Sequence, residues 1–119
     1  MASNNANPRS EADRDIAAAA RYSRYLERLL TANPAVLQTT ELERPYGAAE
    51  MQTELAAAGI TDDHTLGRAL RRLRQRVMAR LITRDLSGRA ALDEVVTTVT
   101  ELAEIAIRSG DPQRAATAV

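Results

Sequence analysis

Seven arginines fall between Arg68 and Arg84, against only three acids (Asp62, Asp63 and Asp85) in residues 61–88. That stretch is net +4, while residues 1–60 (six Arg, eight acids) and 89–119 (three Arg, five acids) are each net −2. A guanidinium is always charged and presents a planar fork of donors, which suits carboxylates, phosphates and guanine edges. Three kinds of chemistry are therefore open to this segment: grip on a polyanion, an acidic protein partner, or ion pairs inside the fold. Spacing narrows the choice. Leu66, Leu70, Leu73, Val77 and Leu81 recur at helical intervals and form one apolar seam. At about 100° per residue, Arg68, Arg72 and Arg76 point away from the seam and are expected to be solvated. Arg80 and Arg84 share its side near the C-terminal end.

An arginine beside a core needs carboxylates or carbonyls, because burying it unpaired is costly. Asp85, Glu94, Glu101 or Glu104 could supply them, and so could a surface outside the chain. Met78 and Ile82 make a second apolar patch roughly opposite the seam, which predicts a helix sandwiched between neighbours. Arg80, Arg84, Asp85, Met78 and Ile82 are thus the candidate structural or interface residues. The remaining chemistry is thin. His64 is the single histidine and lies in a first helical turn beside Asp62 and Asp63, as a surface residue would. Asp93 and Glu94 are adjacent and diverge by about 100° on a helix, a poor geometry for shared catalysis or metal binding. Ser3, Ser10, Ser23, Ser87 and Ser109 have no histidine placed to activate them. With no cysteine, thiolate chemistry and disulfides are absent. No catalytic, cofactor-binding or metal-binding residue is expected. Nucleic-acid binding is disfavoured by the net charge of zero and by the scarcity of short polar readers on the helix, limited to Thr65, Gln75 and Thr83.

The elements that would carry these residues all read as helices. Ser10 can cap a first helix with an acidic first turn, showing Ala19, Tyr22, Leu26, Leu29 and Leu30 on one face and ending at Asn33-Pro34. A short turn of helix follows, then a break at Pro45-Tyr46-Gly47. A third helix runs Ala48–Ala58 and stops at Gly59. Asp62 and Asp63 favour the positive end of the arginine helix, which runs to Leu86. After Ser87-Gly88 a fifth helix spans Arg89–Arg108, with Leu92, Val95, Val96, Val99, Ala103 and Ala106 expected inward. The short linker predicts an antiparallel hairpin of the last two helices. The expected fold is all-α, a small bundle of about four to five helices over residues 10–109, with disordered tails at 1–9 and 110–119. Twenty-three alanines and no Phe or Trp leave the core short of bulk, so packing against a further surface is expected. The polar start and the short alanine run Ala17–Ala20 exclude a signal peptide and a membrane span, which implies a cytoplasmic protein.

The stretch Arg71–Ile107, RRLRQRVMARLITRDLSGRAALDEVVTTVTELAEIAI, resembles the bacterial glutamine synthetase adenylyltransferase/adenylyl-removing family. The family pattern, R-x-x-x-R-D-L-x-G followed by L-x-E-V and L-A, falls on Arg80, Arg84, Asp85, Leu86, Gly88, Leu92, Glu94, Val95, Leu102 and Ala103. Tyr22–Leu37, YSRYLERLLTANPAVL, is similar to the family's opening helix. The resemblance implies the N-terminal helical segment of a two-headed nucleotidyltransferase that adenylylates and deadenylylates glutamine synthetase under a PII signal protein. That family uses Mg²⁺ and ATP at a Gly-rich strand-loop and S-D-x-D motif, and no position here matches either. The implied role is a scaffold, inactive alone, whose partner is the family's catalytic domain and, through it, glutamine synthetase and PII. The tail after Ile107 departs from the family pattern, as a truncated or frameshifted end would. The competing reading is a free-standing helical adaptor that uses the arginine helix to hold an acidic protein.

Overall fold

A computed structural model describes the backbone of residues 8–110 and side chains from Glu11 onward. Five α-helices and two 3-10 turns follow one another: α1 (Pro8–Tyr22), α2 (Arg24–Ala32), the turns Pro34–Val36 and Thr39–Glu41, α3 (Ala48–Ala56), α4 (Asp63–Leu86) and α5 (Leu92–Arg108). Among the described residues there is no strand, and the fold is all-α. The expected tails at 1–9 and 110–119 fall mostly outside the described residues. Helix α1 begins at Pro8 rather than Ser10, since proline's fixed φ suits a first helical turn.

The first helix expected from sequence is in fact two. Ser23 leaves helical geometry (φ −133°, ψ 107°), and its hydroxyl accepts the Leu26 N–H at 3.1 Å. A serine offers the chain a cap of its own in place of continuation. The break lets both Ala19 and Leu26 reach one core, where they are buried with Val36, Leu37 and Ala79. Asn33 then closes α2 through its backbone N–H to Leu29 and starts the next turn through its side chain to the Ala35 N–H at 3.2 Å.

Helix α4 is the axis of the molecule and touches each of the other four α-helices. Asp62 accepts the Thr65 N–H at 2.8 Å while Thr65 Oγ1 accepts the Asp62 N–H at 3.0 Å, a reciprocal cap that fixes the start. One face of α4 buries Leu73 and Val77 against Tyr46, Met51, Leu102 and Ile105. Farther toward its start, Leu70 meets Ala106, with Leu55 and Leu66 packed around them. The other face turns Ala79 and Ile82 to α1 and α2. The two-sided helix is therefore sandwiched within its own fold.

At its end α4 closes with two reverse bonds, Arg89 N–H to Arg84 carbonyl at 2.7 Å and Gly88 N–H to Asp85 carbonyl at 3.1 Å. Such a motif places its glycine in the left-handed region, and Gly88 has φ +79°. The chain reverses there. Leu70 meets Ala106 far from the turn and Arg84 meets Glu94 close to it, so α4 and α5 run antiparallel as expected. The inward face of α5 differs from expectation. Thr98, Leu102, Ile105 and Ala106 are buried, whereas Leu92 and Val96 are exposed. Helix α5 starts at Leu92, three residues later than expected, because the reversal at Gly88 carries the chain in extended form as far as Ala91 (φ −84°, ψ 167°). Among the described residues no helix is long and apolar enough to cross a membrane.

Candidate functional site

The most concentrated chemistry in the chain lies along one edge of α4, where Arg76, Arg80 and Arg84 follow at four-residue intervals and so stack along one face. The expectation of a solvated Arg76 is corrected here. Its Nε lies 2.8 Å from Glu54 Oε2, and its terminal nitrogen reaches Glu41 Oε2 at 3.4 Å. Glu41 and Glu54 come from the 3-10 turn and from α3, which pack over that edge and turn a nominally outward position into a half-buried one.

Arg80 is 1 % exposed and is the largest of the fully buried side chains. Its two terminal nitrogens donate to the two Glu50 oxygens at 2.9 Å each, a bidentate fork. Glu41 lies 3.6 Å away as a second anion, and the guanidinium stacks 3.9 Å from the centre of the Tyr46 ring. In a chain without Phe or Trp, this arginine–tyrosine stack supplies bulk that aromatic pairs usually provide. Glu50 sits in the first turn of α3, where the helix dipole also favours an anion. The Arg80 hydrogen bonds foremost, with a further one from Arg44 at 3.0 Å, pull its carboxyl from 4.5 to about 2, against the opposing effect of partial burial.

Arg84 is buried as well and binds at three places. It grips Glu94 of α5 through Nε at 2.7 Å and a terminal nitrogen at 2.9 Å, donates to the Leu42 carbonyl at 2.8 Å, and reaches the Arg89 carbonyl at 3.3 Å. One side chain thus joins the hairpin partner, the connecting segment and its own turn. Just beyond, Arg89 pairs with Asp15 of α1 at 2.6 Å and with Glu43 at 2.9 Å. Its hydrogen bonds hold Glu43 below the usual carboxylate range and are matched by an upward shift of Arg89 itself, led by Glu43.

Of the four acids considered as partners for the inward arginines, Glu94 is the one that serves. Asp85 is exposed. Glu50, Glu41 and Glu54 lie 22–39 residues upstream of the inward-turned arginines they meet, and no local spacing points to them. Met78 is half-buried. Ile82 is half-buried against the core shared with α1 and α2. Arg74 donates to the Tyr25 hydroxyl at 2.8 Å. Arg68, Arg71 and Arg72 remain exposed, with Arg68 beside His64 at 3.3 Å.

The other candidates disperse. Asp93 and Glu94 diverge, one to solvent and one to Arg84. Ser23 caps α2, Ser87 donates to the Arg84 carbonyl at 3.3 Å, and Ser109 donates to the Ile105 carbonyl at 2.8 Å. Ser3 and the side chain of Ser10 lie outside the described residues. No group of three or more His, Cys, Asp or Glu among the described residues is placed to hold a metal ion. The arrangement can join helices. It offers no activated nucleophile among the described residues and no base beside one.

The fold is an all-helical unit pinned by a buried arginine ladder, and comparison with known proteins gives its family. The chain matches the family described as glutamate-ammonia ligase adenylyltransferase over residues 14–118, and it belongs to that family. It is 47 % identical over 95 residues to the bifunctional glutamine synthetase adenylyltransferase/adenylyl-removing enzyme of Chromobacterium violaceum, covering 78 % of this chain and 11 % of that protein. The enzymes of the same description from Nitrosomonas europaea and Pseudomonas aeruginosa are 45 % and 36 % identical, over 73 % and 62 % of this chain. The chain spans about a tenth of the length of these relatives. No solved structure matches it.

Proposed function

We propose that this chain is the N-terminal helical scaffold of a glutamine synthetase adenylyltransferase/adenylyl-removing enzyme and carries no AMP-transfer site of its own. It packs against the adenylyl-removing head and holds that head's first helices in place. Glutamine synthetase, the PII signal protein, ATP and Mg²⁺ are then met by the catalytic heads. The observation that carries this reading is what the family-pattern residues do here. Arg80 and Arg84 bind Glu50 and Glu94, and Gly88 turns the hairpin, so these pattern positions serve internal structure. A cytoplasmic location follows from the same reading.

Two assays test it. The chain alone, given glutamine synthetase, ATP and Mg²⁺, is expected to incorporate no AMP, and given adenylylated enzyme and phosphate it is expected to release none. Transfer or removal above the blank would overturn the claim. A hybrid of the Chromobacterium violaceum enzyme carrying this chain in place of its matched segment is expected to retain both activities, and loss of both in a folded hybrid would refute the scaffold role.

A further inference from the structure

Among the described residues, nothing covers the outer face of α5. Leu92, Val96, Val99, Ala103 and Ile107 recur at intervals of four, three, four and four residues, which places them within one narrow stripe. Leu92 is 78 % exposed, and Val96 and Ile107 are each 57 % exposed, while Val99 and Ala103 are half-buried. The stripe is about 22 Å long at 1.5 Å per residue. Its spacing is that of a helix–helix seam, whereas scattered single exposed apolar residues are ordinary. The buried face of the same helix (Thr98, Leu102, Ile105 and Ala106) is already used by the core. Helix α5 is thus apolar on two sides with one side partnered.

Charge indicates the occupant. Along the solvent side of the stripe stand Asp93, Thr97, Thr100 and Glu104, all exposed, with Arg108 at the last position of the helix, and neither acid has an ion pair among the described residues. A second copy pairing through its own α5 would bring the same acid-bearing border to the interface. A helix with an apolar seam and basic flanks meets both features. The relatives hold about nine-tenths of their length outside the matched segment, ample chain to supply one.

We propose that the stripe Leu92–Val96–Val99–Ala103–Ile107 is the docking face for an amphipathic helix with basic flanks, contributed by the adenylyltransferase polypeptide outside the matched tenth. This rests on the scaffold reading and names its contact surface. The test uses the Chromobacterium violaceum hybrid with a photoreactive phenylalanine derivative in place of Val96. The expected result is a cross-link within the same polypeptide to a peptide rich in Arg or Lys, reduced at least tenfold by Asp93→Arg with Glu104→Arg. No cross-link, a cross-link to a second copy, or one unaffected by the charge reversal overturns the proposal. The two readings fail separately. An active hybrid without the cross-link removes the docking face and leaves the scaffold role, while an inactive hybrid with the cross-link does the reverse. Leu92→Asp with Val96→Asp provides a second reading. In the isolated chain it is expected to leave the melting temperature within a few degrees, since both residues are exposed, and in the hybrid it is expected to abolish the charge-dependent cross-link from a probe at Ile107. Persistence of that cross-link overturns the proposal.

Discussion

Replacing Arg80 by alanine tests the Arg80–Glu50 pair most directly. Three losses follow. Glu50, held at about 2 instead of 4.5 by Arg80 foremost and by Arg44 at 3.0 Å as well, gives up most of a stabilisation that at 1.36 kcal/mol per pH unit is about 3 kcal/mol in all. A quarter of its side chain faces water (26 %), so screening brings this nearer to ~2 kcal/mol. The stack on Tyr46 removes ~1 kcal/mol, and the void left in a core with Arg80 1 % exposed costs about another 1–2 kcal/mol. The net expectation is ~4 kcal/mol, within the range for breaking a buried pair. For a small domain that is a large part of total stability. Urea unfolding followed by helical circular dichroism at pH 7 would measure it. Arg80→Met combined with Glu50→Gln restores volume and removes the carboxylate charge that has lost its main partner, and should recover about half of the loss. A loss below about 1 kcal/mol in Arg80→Ala, or no recovery in the double variant, would refute the view that this pair pins α3 to α4.

The same pair sets an acid limit. Because the folded-state value of Glu50 is depressed, its contribution is fully present above pH 4.5 and is lost as pH falls from about 4.5 toward 2; Glu50→Gln should flatten stability against pH across that window in acid titrations of the melting temperature. Arg84→Lys keeps the charge but cannot reach Glu94 twice and the Leu42 carbonyl at once, and is expected to cost about 2–3 kcal/mol in urea unfolding. Gly88→Ala meets no atom within 4 Å and so isolates the backbone cost of φ +79°, about 1–2 kcal/mol by thermal denaturation. Tyr46→Phe removes a buried hydroxyl with no hydrogen-bond partner among the described residues while keeping the ring beneath Arg80, and should stabilise by up to about 1 kcal/mol.

Much of this protein is legible along the chain because helices are local. The seam from Leu70 to Leu81, the cap at Asp62, the stop at Gly88 and the antiparallel hairpin all follow from spacing and turn chemistry within a few residues. The pattern over Arg80–Ala103 is enough to indicate the family, since those ten positions depend on one hairpin. Glu94 was among the acids named for the inward arginines for the same reason, since it lies ten residues from Arg84 across a single turn.

What the chain alone left open depends on which surfaces meet. Ser23 reads equally as part of a helix or as a cap, and only the joint burial of Ala19 and Leu26 decides for the cap. Helix α5 is apolar on two faces, so periodicity could not choose between Leu92–Val96 and Leu102–Ile105, whereas contact with Tyr46, Met51, Leu73 and Val77 does. Arg76 turned inward because Glu54 and Glu41 pack over it, and Glu50 found Arg80 across 30 residues. Local sequence thus determined the helical character of the chain, the ends of α4 and the need of Arg80 and Arg84 for partners. Tertiary structure decided which carboxylates answer that need, because a charge buried between helices is satisfied by whatever the fold brings within about 3 Å, and sequence distance does not enter that condition.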